Sequence, residues 1–149
     1  DLHLKTRLHL PKSRPYVVLG QSQNLILEVI VHNDGEPAYL TEVTVNFPLC
    51  LNYIGYKQIQ STDHIACLKN ENNNQDVNSL ICELGNPVPR NETVIFYLTF
   101  DANKVKHGDM LNITVATETL STENVTLLAD NSEELLIPVH IEGHLQITG

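Results

Sequence analysis

Along most of this chain apolar and polar residues alternate, in short segments separated by turn-forming residues. This is the mark of half-buried antiparallel strands, whose side chains point to opposite faces with period two. Near the start Leu2, Leu4, Leu8 and Leu10 share one parity. Pro11 and Pro15 interrupt it, and after the turn at Gly20 a second segment places Leu25, Leu27, Val29 and Val31 on one face. A third carries Val43, Val45 and Phe47 inward, with Glu42, Thr44 and Asn46 outward. The rule returns in Val94, Phe96, Leu98 and Phe100, in Leu111, Ile113 and Val115, and in Leu135, Ile137, Val139 and Ile141.

The joints between these segments have their own chemistry. His32-Asn33-Asp34-Gly35-Glu36-Pro37 is built of residues that tolerate positive φ, and Lys106-His107-Gly108-Asp109 does similar work before the Leu111 segment. The run from Lys69 to Asp76 is too polar for a core and reads as a mobile loop. The one helix candidate, around Asp130 to Leu136, is short and runs straight into an alternating strand. Short strands with no internal repeat predict an all-β fold: an antiparallel, immunoglobulin-like β-sandwich of two packed sheets, forming a single domain over residues 1–149. There is no Trp to mark an antibody-type core, and the cysteines best placed to pair, Cys67 and Cys82, are close in sequence, so the pattern is a variant sandwich.

Composition narrows the function. The 149 residues are 42% hydrophobic and 18% charged, enough for one core. A net charge of −9 repels phosphate backbones and anionic lipid, which argues against nucleic-acid or direct membrane contact. Charge is uneven: Lys5, Arg7, Lys12 and Arg14 make the start basic, whereas no Lys or Arg follows Lys106. The two ends are expected to face different neighbours. No apolar run reaches the roughly 18 residues that span a bilayer, and the start has neither an initiator Met nor a signal-peptide core, so the chain reads as a piece excised from a larger protein.

Catalytic groupings fail one by one. Gly20-Gln21-Ser22-Gln23-Asn24 lacks the closing Gly of a nucleophile elbow, and no phosphate-binding glycine loop occurs. His140 and His144 share a face, but on a strand they stand roughly 13 Å apart, too far for one metal ion. Three cysteines in no zinc or redox spacing suggest one disulfide and one free thiol. A Cys67–Cys82 bridge would close the polar loop and leave Cys50 unpaired and largely buried; the alternative is a pair of buried free thiols. Three glycosylation triplets begin at Asn91, Asn112 and Asn124. Asn112 falls opposite Leu111 and Ile113 in parity, so it is expected to face solvent, and Asn91 just before a strand is expected to be exposed as well.

Several motifs together resemble a known family. Val18-Leu19-Gly20, the turn His32 to Tyr39 with its N-x-G-E-x-A-Y-like spacing, Phe47-Pro48-Leu49, Ile65-Ala66-Cys67 and Ile81-Cys82-Glu83-Leu84-Gly85-Asn86-Pro87 resemble, in order and spacing, the calf-1 domain of integrin α subunits. The resemblance implies a lower-leg module of an extracellular adhesion receptor, in the ectodomain of a single-pass plasma-membrane protein. Its neighbours would be the thigh and calf-2 domains of the same chain and its subunit partner an integrin β chain. No catalysis is implied, and adhesive ligand would bind elsewhere in the receptor. It further implies a Ca²⁺ ion at the knee between thigh and calf-1, with Glu36 as one ligand. One carboxylate is too few for a shell of six to eight oxygens, so the other ligands would precede Asp1 and the site would exist only in a longer chain. Cys50 departs from the family pattern. The competing class is a carbohydrate- or ligand-binding sandwich of another secreted or cell-surface protein; the absence of Trp and the core parity of most Phe residues speak against sugar stacking.

Overall fold

The structure is a computed structural model that describes residues 2–10, 15–19, 23–61, 63–70, 77–85, 87–119 and 132–140. In chain order the described strands are β1 (Leu2–His9), β2 (Val17–Val18), β3 (Asn24–Asn33), β4 (Thr41–Pro48), β5 (Asn52–Gln60), β6 (Ala66–Asn70), β7 (Val77–Gly85), β8 (Thr93–Asp101), β9 (Leu111–Glu118), β10 (Ser132–Ile137) and β11 (Val139–His140). They form a four-stranded antiparallel sheet in the order β1-β3-β8-β5 and a five-stranded antiparallel sheet in the order β10-β9-β4-β7-β6. The expected sandwich is therefore present. A third element was not expected: β2 and β11 pair in parallel, Val17 against Val139.

The alternation that defines the strands also builds the core. Leu25, Leu27, Val29 and Val31 of β3 are all at 0% exposure, as are Val94, Phe96, Leu98 and Phe100 of β8. From the other sheet come Val43, Val45 and Phe47 of β4 and Leu111, Ile113 and Val115 of β9. The sheets meet where the Phe47 ring packs edge-on against Phe100, centroids 4.9 Å apart; Tyr53 of β5 approaches Phe100 at 5.9 Å. Edge-to-face contact brings the positive ring edge to the negative face, which adds to the area buried.

One open side of the sandwich is closed by a carboxylate. Strand β1 lies at the edge of its sheet, and Glu133 of β10 accepts from the Thr6 backbone N–H at 2.5 Å and from the Thr6 hydroxyl at 2.8 Å. A strand edge otherwise presents unpaired donors. The segment read as a helix candidate around Asp130 to Leu136 is, over its described part, strand β10. Its residues pair with β9 from Ser132↔Ala116 to Ile137↔Leu111, and this ladder overrides the weak helix preference of Glu133, Glu134 and Leu135. The alternation through Leu135, Ile137 and Val139 is also broken at Pro138, which has no N–H to continue the ladder; its carbonyl instead accepts from Val17 at 2.9 Å. The rest of the polar run read as a mobile loop, 71–76, lies outside the described residues.

Candidate functional site

The turn that carries Glu36 is fixed from below by a residue of the inward face. Asn33 ends β3 at 0% exposure. Its Nδ2 donates to the carbonyls of Glu36 (2.9 Å), Val88 (2.9 Å) and Pro89 (3.3 Å), and its Oδ1 accepts from the Gly35 N–H at 3.1 Å. Its backbone is engaged with Asn91 and Glu92 as well. One side chain thus clamps the β3–β4 turn to the β7–β8 connection, and reciprocal bonds between Ala38 and Val88 finish the joint. The Glu36 side chain stands exposed on this turn. Beside it the Asp34 carboxylate meets His3 Nε2 at 2.8 Å, and that hydrogen bond holds the Asp34 carboxyl below the usual carboxylate range.

Oxygen donors at an exposed turn suit a hard cation, and Glu36 would be the residue to hold it. It is one ligand, and Asp34 is already committed to His3. Among the described residues no three His, Cys, Asp or Glu side chains converge as a metal site. The fit to Ca²⁺ is therefore partial.

Asn91 reaches the same end of the sandwich, exposed and at φ 66°, a left-handed conformation that Asn tolerates better than most residues. Asn112 lies toward the opposite end, exposed on the outer face of β9. The structure does not bring the two together, and Asn124 lies outside the described residues. Thr93, the third residue of the first triplet, bonds its Oγ1 to His32 Nδ1 at 2.8 Å.

Cys67 and Cys82 are bonded to each other across β6 and β7, where they stand directly opposite in register with Cys82 fully buried. The bridge joins neighbouring strands of one sheet, unlike the inter-sheet bridge of antibody domains. Replacing both by serine is expected to cost about 3 kcal/mol for a loop of this span, read as a lower urea midpoint. An unchanged midpoint would show that the β6–β7 ladder holds by itself. Cys50 is free and half-buried in the turn after β4. Burial pushes its thiol up, and the neighbouring Asp109 carboxylate pushes it further, so at neutral pH it is an unreactive thiol.

A cleft of about 430 Å³ opens near the Glu36 end, lined by Glu42, Asp63, His64 and Glu83 with Leu40 and Gly85. None of its lining residues is Phe, Tyr or Trp, the side chains that usually stack on a sugar ring. Gly85 is required there: it sits at φ 133°, and a Cβ would meet Asp63 Oδ2 at 2.9 Å. His140 stacks on Tyr16 at 3.9 Å between ring centroids. His144, which shares its parity in the sequence and by strand spacing is too distant to share a metal ion with it, lies outside the described residues, as does Ser22. No helix of the described residues is long and apolar enough to cross a membrane.

Sequence reasoning named Asn33 only as a turn former and passed over Thr6 and Glu133. The signal was available: all three occupy inward parity in strands otherwise apolar on that face. A polar residue at such a position must find partners, because an unpaired buried polar group is costly.

Known proteins extend this picture. The family described as "Integrin alpha Ig-like domain 2" matches residues 1–141. Integrin alpha-6 of Gallus gallus is 31% identical over 145 residues, covering 88% of this chain and 13% of its own length. Integrin alpha-7 of Rattus norvegicus is 34% identical over 114 residues, covering 76% and 9%. Integrin alpha-IIb of Mus musculus is 25% identical over 133 residues, covering 88% and 12%. The chain thus spans between 9% and 13% of the length of these relatives. Among solved structures, a cohesin of the archaeon Archaeoglobus fulgidus overlays 97% of this chain and 97% of its own at a TM-score of 0.48 and 11% identity. With a family match through β1 to β11 and a disulfide-bonded all-β sandwich beneath it, this chain belongs to the integrin alpha Ig-like domain 2 family.

Proposed function

We propose that this domain is the calf-1 module of an integrin α-subunit leg, an interdomain spacer that supports cell adhesion by transmitting the change between bent and extended forms. It is not an enzyme, and it does not itself bind the adhesive ligand. The family match over residues 1–141 carries this reading. The two ends of the sandwich support it further: one carries the Glu36 turn locked by Asn33, the other the Cys50–Asp109 region, and the core between them is closed.

On this reading the chain lies outside the cell in the ectodomain of a single-pass receptor. It sits between thigh and calf-2 domains and pairs, in the whole receptor, with a β subunit. Glycans occupy Asn112 and Asn91. Glu36 contributes to a knee Ca²⁺ whose other oxygens come from the preceding domain, so the 149-residue chain binds Ca²⁺ weakly or not at all. In a full-length receptor, Glu36→Ala is expected to shift the balance between bent and extended forms, measured with conformation-sensitive antibodies, while the isolated headpiece keeps its ligand affinity. An unchanged balance would remove Glu36 from the knee.

A further inference from the structure

The outer faces of the two sheets carry opposite charge. Register assigns the outward positions: they are the rows that alternate with the rows of apolar core residues. On the five-stranded sheet the outward set includes Glu83, Glu42 and Glu118 in one row across β7, β4 and β9, with Glu134 on β10. Among the described residues one cation comes near that set: Lys69, on edge strand β6, stands opposite Leu80 in register but lines a shallow cleft with Glu42 and Glu83, so four acids face one base.

On the four-stranded sheet two adjacent outward rows read Lys5, Ile30, Ile95, Gln60 and Arg7, Glu28, Tyr97, Lys57. Ile30, Ile95 and Tyr97 form a half-exposed apolar centre, while Lys5 and Arg7 are exposed on one edge strand and Lys57 on the other. Two acids share this face with the three cations, so it is weakly basic where the other is acidic. Glu28 is opposite Arg7 and bonds His9 at 3.0 Å; Asp101, at the far end of β8, accepts from the Asn103 N–H at 2.6 Å. Of the described glycosylation asparagines, Asn112 is on the opposite sheet and Asn91 stands at the Gln60 end of this face, beyond its strands.

We propose that the outer face of the β1-β3-β8-β5 sheet docks an acidic protein surface presented by another domain tethered in the same receptor. An apolar centre with a charged rim is the layout of a protein interface. Lys5, Arg7 and Lys57 select acids at the rim, where charge sets orientation and excludes wrong partners. A sulfated polysaccharide or an anionic lipid headgroup would leave Ile30, Ile95 and Tyr97 unused. Size decides between a free and a tethered occupant. Ten residues of β3 span about 33 Å and four strands about 19 Å, so the face offers roughly 600 Å². Counting both partners that is about 1,200 Å², at the lower limit of a stable free complex and well within the range of contacts between linked domains. Tethering supplies the missing affinity as effective concentration. The chemistry of the occupant follows from the face alone; placing it in the same receptor rests on the leg reading above.

The test is photo-cross-linking in the full-length chain on cells, with p-benzoylphenylalanine at Tyr97 and, separately, at Thr44 on the acidic face. The account predicts adducts from Tyr97 to peptides in which Asp and Glu outnumber Lys and Arg, and few from Thr44. Combining Arg7→Glu with Lys57→Glu should lower the Tyr97 yield about tenfold, since like charges replace attractive pairs across the rim. Arg7→Gln with Lys57→Gln gives a milder loss and serves if the reversed pair fails to fold. Absence of Tyr97 adducts, equal yield at both positions, yield indifferent to the charge changes, or adducts to glycan or lipid alone would each overturn the proposal. Surface biotinylation of the same cells reads the leg assignment separately: a chain absent from the surface defeats that assignment, and the cross-linking then decides the docking face in whichever full-length protein carries the domain.

Discussion

Truncating Phe100 to alanine is expected to destabilise the domain by about 4 kcal/mol, the central value for removing a buried phenyl ring from a well-packed core. Phe100 is at 0% exposure and is where the sheets touch, with Phe47 against it from β4 and Tyr53 from β5. The loss has two parts: transfer of the ring's apolar area back to water, and the cavity left between two sheets whose backbones are held by their ladders and cannot collapse inward. Phe100→Leu fills most of that space and should cost less than about 1.5 kcal/mol. Thermal unfolding followed by circular dichroism checks both. For a domain of this size the alanine variant should melt roughly 8–16 °C lower. A loss under about 1 kcal/mol would mean that the sheets are joined elsewhere.

Asn33→Leu is expected to be nearly as damaging, roughly 3 to 4 kcal/mol, although it adds apolar volume. The substitution deletes a donor serving three carbonyls and an acceptor serving Gly35, and leaves the Val88 carbonyl in a buried setting without its side-chain partner. The Val88 carbonyl keeps its bond from the Ala38 N–H. The Gly35 N–H and the Glu36 and Pro89 carbonyls lose their side-chain partner, and each part-buried group left short costs about 1–3 kcal/mol, which outweighs what leucine gains by burial. Asn33→Asp separates the two halves of the side chain: the Gly35 bond survives, but a carboxylate now faces three carbonyl oxygens. Hydrogen exchange gives the sharper readout, because the Ala38 and Val88 amides should lose protection in either variant while the β3–β8 ladder keeps it. Equal protection in wild type and variant would show that the joint does not depend on Asn33.

Most of the sandwich was legible because its interior is written with period two. Leu25 to Val31 and Val94 to Phe100 alternate without a break, and each alternate residue is buried as that pattern requires. Strand β5 was not legible, for a physical reason. It is an edge strand, exposed at most positions, and register shifts at Tyr53/Gly55 and Gln58/Gln60 scramble the parity of Ile54, Tyr56 and Ile59. The β2–β11 pair, two residues long on each side, is too short for any period to show.

At the candidate site, the family resemblance of the turn motif pointed to Glu36, and loop spacing pointed to the Cys67–Cys82 bridge. The partners that hold Glu36 in place were hidden: the carbonyls bound by Asn33 belong to Val88 and Pro89, some 55 positions away, and backbone acceptors leave no trace in side-chain identity. Cys50 was expected to be largely buried; it is half-buried, at the turn facing Asp109, because a residue in that turn covers the end of the core without entering it.

The claim that this domain is a spacer is tested most directly by binding. The 149-residue chain and the full-length receptor are immobilised side by side, and the receptor's adhesive ligand is passed over both by surface plasmon resonance. The account predicts saturable binding to the receptor and none above background to the domain. Binding of the isolated domain at an affinity comparable with the whole receptor would contradict it and make the sandwich a ligand-binding module in its own right.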